Sequence, residues 1–334
     1  MIYNSFDNPG LVKVLTFLQT HNTEYLSGQD LSDVLRISRV AVWKHIKKIK
    51  ELGYVIESKQ KLGYKLMSNS DLLLPWEITA NLKTKFIGHH TYYFDTLDST
   101  QNQALKMAND AINNGSVIVA STQTGGKGRD GRKWVSPKGG IWISVILQPS
   151  FDISIMTLFP IASSLALSVA IEKLFSIKPE LKWPNDLTIK GKKVAGMLVD
   201  ASLESNQIEN LVLGVGINFD VNAKQIEKLL KKTPNFYGIA SLNEQKTKIR
   251  SVELVQAFLV ELEKIYESLI ARRTDNIIDD WTRRSSTIGK NVELHTDRGK
   301  IMGKAIRIDD DGALVVLENR KYRRVLAGDI IHLS

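Results

Sequence analysis

The apolar pattern of this chain changes period near residue 80, and no single layered architecture accommodates both halves. Before that point apolar residues recur every three or four positions; after it they fall in short β-rich runs. At least two separately cored units follow, and a length of 334 residues suits two or three.

In the front unit, Leu11, Val14, Leu15 and Leu18 define one amphipathic helix. "SGQDLSDVL" begins a second, with Ser27 or Gln29 near its start and Leu31, Val34 and Leu35 on its inner face. After the turn "RIS", Ser38 is placed to cap a third helix, "RVAVWKHIKKIKELG", striped by Val42, Ile46 and Ile49 and stopped by Gly53. "YVIES" and "GYKLM" then read as a hairpin wing. This order is the winged helix-turn-helix plan over residues 1–66, with the helix-turn-helix itself about Gly28 to Leu52. The unit holds ten Lys and Arg against six Asp and Glu. Ser38, Arg39 and Lys44 are candidates to reach a DNA groove, and Lys47 and Lys48 add charge for phosphates. A solvated face of a protein-docking module is the blander alternative. "SNSDLLLPWEI" reads as a boundary, giving a linker over 67–80.

A net charge of +9 points to an anionic partner. The absence of cysteine excludes disulfides, thiolate nucleophiles and cysteine-ligated zinc, and fits a cytoplasmic location. The start lacks a signal-peptide pattern. The longest apolar stretch is broken by Pro160 and Glu172, so it reads as a buried helix and no membrane partner is expected.

From 81 to 284, strand-like runs ("HTYYFDT", "SVIVAS", "IWISVILQ", "ELKW", "LTIK", "VAGMLVD", "LVLGVGINF") mix with helical segments near 100–113, 157–176 and 251–272. The expected class is α+β with a mixed sheet. Between two of these core strands lies "GGKGRDGRKW" (Gly125 to Trp134). A linker belongs at a boundary instead. No Ser or Thr follows Gly126-Lys127 as a P-loop requires, and "GVGINF" lacks the third dinucleotide-fold glycine. What remains is a mobile, glycine-rich anion cradle: backbone N–H groups, Lys127, Arg129, Arg132 and Lys133 for charge, and Trp134 as a flat face for a base. A bound ligand is expected to order it.

Four shorter clusters accompany the loop: "DSTQN", "KWPND", "GKKVAG" and "GVGIN". Taken singly they read as a helix cap, a strand-end turn, a hairpin turn and a tight strand crossing. Histidines are scattered, and no local nucleophile signature is present.

Together and in this order behind a winged helix, these motifs resemble the bifunctional biotin protein ligases that double as biotin operon repressors. The closing run of short strands over 285–334 resembles that family's small SH3-like barrel. The resemblance implies two steps, MgATP with biotin giving biotinyl-5′-AMP, then transfer to one lysine of a biotin carboxyl carrier domain. It implies that Ser99, Thr100, Gln101 and Gln123 hold biotin, and that Gly126, Lys127, Gly128 and Arg129 wrap biotin and the adenylate phosphate. Arg132, Trp134 and Asn218 serve the nucleotide. Lys193 stands between carboxylate and α-phosphate, with Lys182 nearby, and Asn185 or Asp186 is a candidate for Mg²⁺. It also implies a homodimer on operator DNA, with the adenylate as corepressor. Two departures stand out: Gln101 where the family commonly has asparagine, and Lys127 and Asp130 where it commonly has arginines. The competing readings are a sensor that binds biotin without ligating it, a lipoate or octanoate ligase, and a winged-helix regulator of another ligand.

Overall fold

The computed structural model describes residues 2–4, 7–150, 152–204, 207–231, 236–245, 249–296 and 299–333. Strand β1 (Ile2–Asn4) is followed by helices α1 (Pro9–Thr20), α2 (Gly28–Leu35) and α3 (Arg39–Glu51), then a hairpin of β2 (Val55–Lys59) and β3 (Gly63–Ser68). The caps act as expected. Ser27 Oγ accepts from the Asp30 N–H while the Asp30 carboxylate accepts from the Ser27 N–H, and Ser38 Oγ accepts from the Ala41 N–H. Gly53, at φ +88°, takes the left-handed conformation that ends α3. Leu11, Val14, Leu15, Leu18, Leu31, Val42, Ile46 and Ile49 are buried. Val34 is not: 57% of it is exposed. The short α2 turns only a narrow stripe toward its neighbours, and Val34 lies beyond its rim.

The stretch 67–80 differs from an open tether. It holds a short helix, α4 (Pro75–Thr79), with Leu74, Trp76 and Ile78 buried. "LLLPWEI" is too apolar to remain solvated. Glu77, also buried, accepts from Tyr54 Oη (2.7 Å) and Gln19 Nε2 (3.0 Å), and pairs with Arg250 (3.5 Å).

The next elements are β4 (Thr91–Leu97), α5 (Thr100–Met107), β5 (Val117–Gln123), β6 (Ile141–Leu147), α6 (Ile153–Met156), α7 (Phe159–Phe175), β7 (Glu180–Lys182), β8 (Asp186–Ile189), β9 (Lys192–Glu204), β10 (Gln207–Ile217), α8 (Ala223–Leu230), α9 (Ser251–Ile270) and α10 (Asp275–Arg284). The strands form a mixed sheet in the order β1-β4-β5-β6-β10-β9-β8-β7. Only β4 and β5 run parallel, joined by the crossover helix α5. Alternation along the strands serves two cores. Ile118, Ile146 and Val212 pack with α5 on one face, while Val117, Val119 and Val145 join the larger core of α7 and α9 on the other. As expected, α7 is buried nearly all round.

β1 was not foreseen. It pairs antiparallel with β4, Ile2 opposite Phe94, so the front of the chain extends the central sheet. The tail forms a small antiparallel sheet of β11 (Asn291–Thr296), β12 (Gly299–Ile308), β13 (Leu314–Glu318), β14 (Lys321–Val325) and β15 (Asp329–His332), in the order β14-β13-β12-β11-β15. No described helix is long and apolar enough to cross a membrane.

Candidate active site

One cleft, on the face of the central sheet that carries α5, gathers side chains from across the sequence. Its lining includes Ser99, Thr100, Gln101, Gln123, Lys127, Gly128, Arg129, Arg132, Trp134, Lys182, Asn185, Asp186 and Lys193. Three structural devices bring them together: the start of α5, the loop after β5, and the strands β7 to β10.

At the inner end, Ser99 Oγ caps α5 by accepting from the Asn102 N–H, so the bland reading of this cluster also holds. The Thr100 N–H donates to Gln123 Oε1 at 2.7 Å, and Gln123 Nε2 donates to Ser136 Oγ at 2.8 Å. Gln101 reaches across the floor, its Nε2 donating to Asp200 Oδ2 (2.9 Å) and to the Val212 carbonyl (3.0 Å). The glycines of "GVGIN" make room for this. A Cβ on Gly214 would lie 2.5 Å from Gln101 Oε1, and one on Gly216 would lie 2.5 Å from the Trp134 indole. These buried amides and hydroxyls are held by one another, which fixes them as a polar recognition surface.

The loop folds back on itself as a hairpin over the outer end. Lys127 bridges Lys133, the Gly128 N–H donates to the Arg132 carbonyl (2.7 Å), and the Trp134 N–H to the Gly126 carbonyl (2.9 Å). Arg132 pairs with Asp329 of the C-terminal sheet at 2.8 Å, and Arg129 Nη1 donates to the Gly328 carbonyl at 3.4 Å. Gly126 thus shapes the hairpin and does not line the cleft. Trp134 Nε1 is buried, with no hydrogen-bond partner among the described residues.

Cations and one carboxylate meet beneath this hairpin. Lys193 Nζ lies 2.6 Å from Asp186 Oδ1 and 5.0 Å from the centre of the Trp134 ring. Tyr237 Oη donates to Asp186 Oδ2 at 2.5 Å, and its ring lies 3.5 Å from Lys182 Nζ. Burial pushes the Lys182 ammonium down to about 8, with Lys193 adding to the effect and Asp186 opposing it. Burial, reinforced by Asp186, drives the Tyr237 hydroxyl well above its ordinary value.

Some expected residues lie elsewhere. Asn218 is buried behind β9, donating to the Lys193 carbonyl at 3.3 Å. Asn185 and Asp186 do line the cleft: Asn185 Nδ2 donates to the Met197 carbonyl, while Asp186 accepts from Tyr237 on Oδ2 and turns a buried Oδ1, which carries no hydrogen bond among the described residues, toward the Lys193 ammonium. No group of three His, Asp or Glu suited to a metal occurs among the described residues. Ser38, Arg39, Lys44 and Lys47 are exposed on α3, away from the cleft. Lys48 instead pairs with Glu51 (3.4 Å) and stands over the Tyr3 ring of β1 (6.0 Å).

Sequence reasoning missed Tyr237, Asp329 and Ser144, whose Oγ lies 2.9 Å from Thr100 Oγ1 and 3.0 Å from Gln101 Oε1 on the cleft floor. Tyr237 follows no motif, Ser144 is one more residue of an apolar strand run, and Asp329 belongs to a different domain.

Comparison with known proteins accords with this arrangement. A Biotin/lipoate A/B protein ligase family model matches residues 93–218, an HTH domain model 11–65, and a Biotin protein ligase C terminal domain model 287–333. The bifunctional ligase/repressor BirA of Bacillus subtilis is 34% identical, over 94% of this chain and 95% of its own. BirA of Escherichia coli is 26% identical, over 97% of each. The biotin protein ligase of Aquifex aeolicus, solved with biotin and ATP, superposes with a TM-score of 0.61 at 25% identity, covering 73% of this chain and 98% of that one. The chain belongs to the BirA family of bifunctional biotin ligase/repressors.

Proposed function

We propose that this protein joins biotin to AMP, passes it to a carrier lysine, and represses transcription when the adenylate is bound. The observation carrying this reading is that one cleft sets a closed set of amides and hydroxyls beside Lys193, Arg129 and the Trp134 indole. Ser99, Thr100, Gln101 and Gln123 receive the polar ring system of biotin. Gly128 and Arg129 close over its carboxylate and the phosphate. Trp134 stacks on adenine, with Arg132 holding the hairpin shut, and Asn218 keeps the Lys193 backbone in register.

A biotin carboxylate oxygen attacks the α-phosphorus and pyrophosphate leaves. The carrier amine then attacks the acyl carbon and AMP leaves. Both steps develop negative charge between the same two groups, where the compact Lys193 ammonium neutralises it; no protein nucleophile is needed. Lys182 and Lys127 add charge along the phosphate path. Mg²⁺ supplies further neutralisation of the phosphates and enters with ATP, which needs no protein cage.

On this reading α3 offers Ser38, Arg39, Lys44 and Lys47 to DNA. β8 pairs with β9 only between Lys192 and Gly196, and Asn185 takes both backbone groups of Met197, which leaves the edge from Leu198 to Glu204 for a second copy. An adenylate-ordered loop would favour that dimer and two DNA half-sites, with coupling that runs equally in both directions.

The test is incorporation of labelled biotin into a purified carrier domain with MgATP, wild type beside Lys193→Ala. Transfer by wild type, reduced at least a hundredfold in the variant, is expected of an electrostatic group of this kind. Biotin binding without transfer by wild type would leave a sensor-repressor instead.

A further inference from the structure

A second cavity lies behind Lys182 and Tyr237, and these two residues line both spaces. Its other walls include Glu180 and Thr188 from the sheet edge, and Ser286, Lys290 and His332 from the tail. It is a hollow of about 440 Å³, partly open to solvent, with room for a ligand larger than a single water.

Its chemistry is cationic. Glu180 is the only acidic residue on the described lining, and among the described residues neither Lys182 nor Lys290 has an ion-pair partner. His332 Nε2 lies 3.1 Å from Thr287 Oγ1, which already accepts from the Trp183 N–H at 3.1 Å. Burial, with Lys182 and Lys290 adding to it, holds His332 near 4, so the ring serves as a neutral hydrogen-bonding group at ordinary pH. Two ammonium groups and an imidazole suit a small polyanion rich in oxygen. Lys182 lines this cavity as well as the catalytic cleft, whereas Lys193 lines the cleft alone.

We propose that this cavity is a pyrophosphate site, shared between Lys182 and the tail residues Lys290 and His332, which receives the phosphates leaving the α-phosphorus. The proposal rests on the ligase reading, since only adenylate formation releases pyrophosphate. It gives the tail residues Lys290 and His332 a part in the first half-reaction and none in the second.

Two assays on the full chain test it: biotin-dependent exchange of labelled pyrophosphate into ATP, and single-turnover transfer from preformed biotinyl-AMP to the carrier. Lys290→Ala is expected to raise the pyrophosphate KM of exchange roughly tenfold, the loss of one charged hydrogen bond. Transfer should stay unchanged, and Lys290→Arg should recover most of the loss. Lys290 is exposed, so its truncation leaves the fold intact. His332→Gln should act in the same direction. A parallel rise in the KM for ATP would place the β- and γ-phosphates there before cleavage; a rise confined to pyrophosphate would place the product there. Pyrophosphate KM values within twofold of wild type in both variants would overturn the proposal, as would equal slowing of both half-reactions. Wild type without biotin-dependent exchange would instead bring down the ligase reading beneath it.

Discussion

Lys182 carries a cost that function explains and stability does not. Folded, it releases its proton near pH 8, against an ordinary 10.5. Below pH 8 both states bear the charge and the folded one bears the full burial penalty. Between 8 and 10.5 the unfolded state binds more protons, so this group's contribution to stability rises with pH. Lys182→Met is expected to raise the unfolding free energy at pH 7 by roughly 2–3 kcal/mol while impairing adenylate formation. Urea unfolding at pH 7 and pH 10 checks this: the gain should shrink at the higher pH, and a variant no more stable than wild type at pH 7 would contradict it. The sequence singled out Lys182, Lys193 and Trp134 because their motifs are local. Tyr237, which touches Lys182 and Asp186, was invisible because contacts across a cleft leave no spacing in the chain.

Among the elements, the hairpin from Gly125 to Trp134 is where sequence and structure speak most directly to one another. Its glycines and cations were read as an anion cradle, and it does fold over the cleft. Its anchoring to the tail through Arg132 and Asp329 was not legible, because it joins positions almost 200 residues apart. Asp130 points outward at φ +56° and pairs weakly with Arg132 at 3.5 Å. Replacing Lys127 and Asp130 together by arginine is expected to slow release of biotinyl-AMP, since two charges are gained at Asp130 and a planar fork at Lys127. Stopped-flow dissociation measures it, and equal off-rates would refute it. Helix α3 was legible nearly residue by residue, since caps and a helical stripe are short-range features. On it, Lys44→Ala should lower the slope of log K against log salt by about one for DNA binding, with little change in sequence preference.

At the scale of the whole molecule, the domain classes were readable from the change of period, but the joints between domains were not. Residues 67–80 looked like a boundary by their Ser, Asn and Pro, yet their leucines pack into the apolar core, and Trp76 and Glu77 join a polar knot with Gln19, Tyr54 and Arg250. Glu77→Ala leaves the Tyr54 hydroxyl and Arg250 without their shared acceptor. It should cost about 1–3 kcal/mol and split one thermal transition into two; a single transition at an unchanged temperature would show that the knot does not couple the domains. Three residues at the start, Ile2 to Asn4, close the outer side of β4. A fragment cut at residue 81 to isolate the catalytic part would therefore lose more than its DNA-binding module. It would carry a raw row of backbone donors and acceptors along β4, and such fragments should stick to one another in solution, by a route unrelated to biotin, unless that row is covered again.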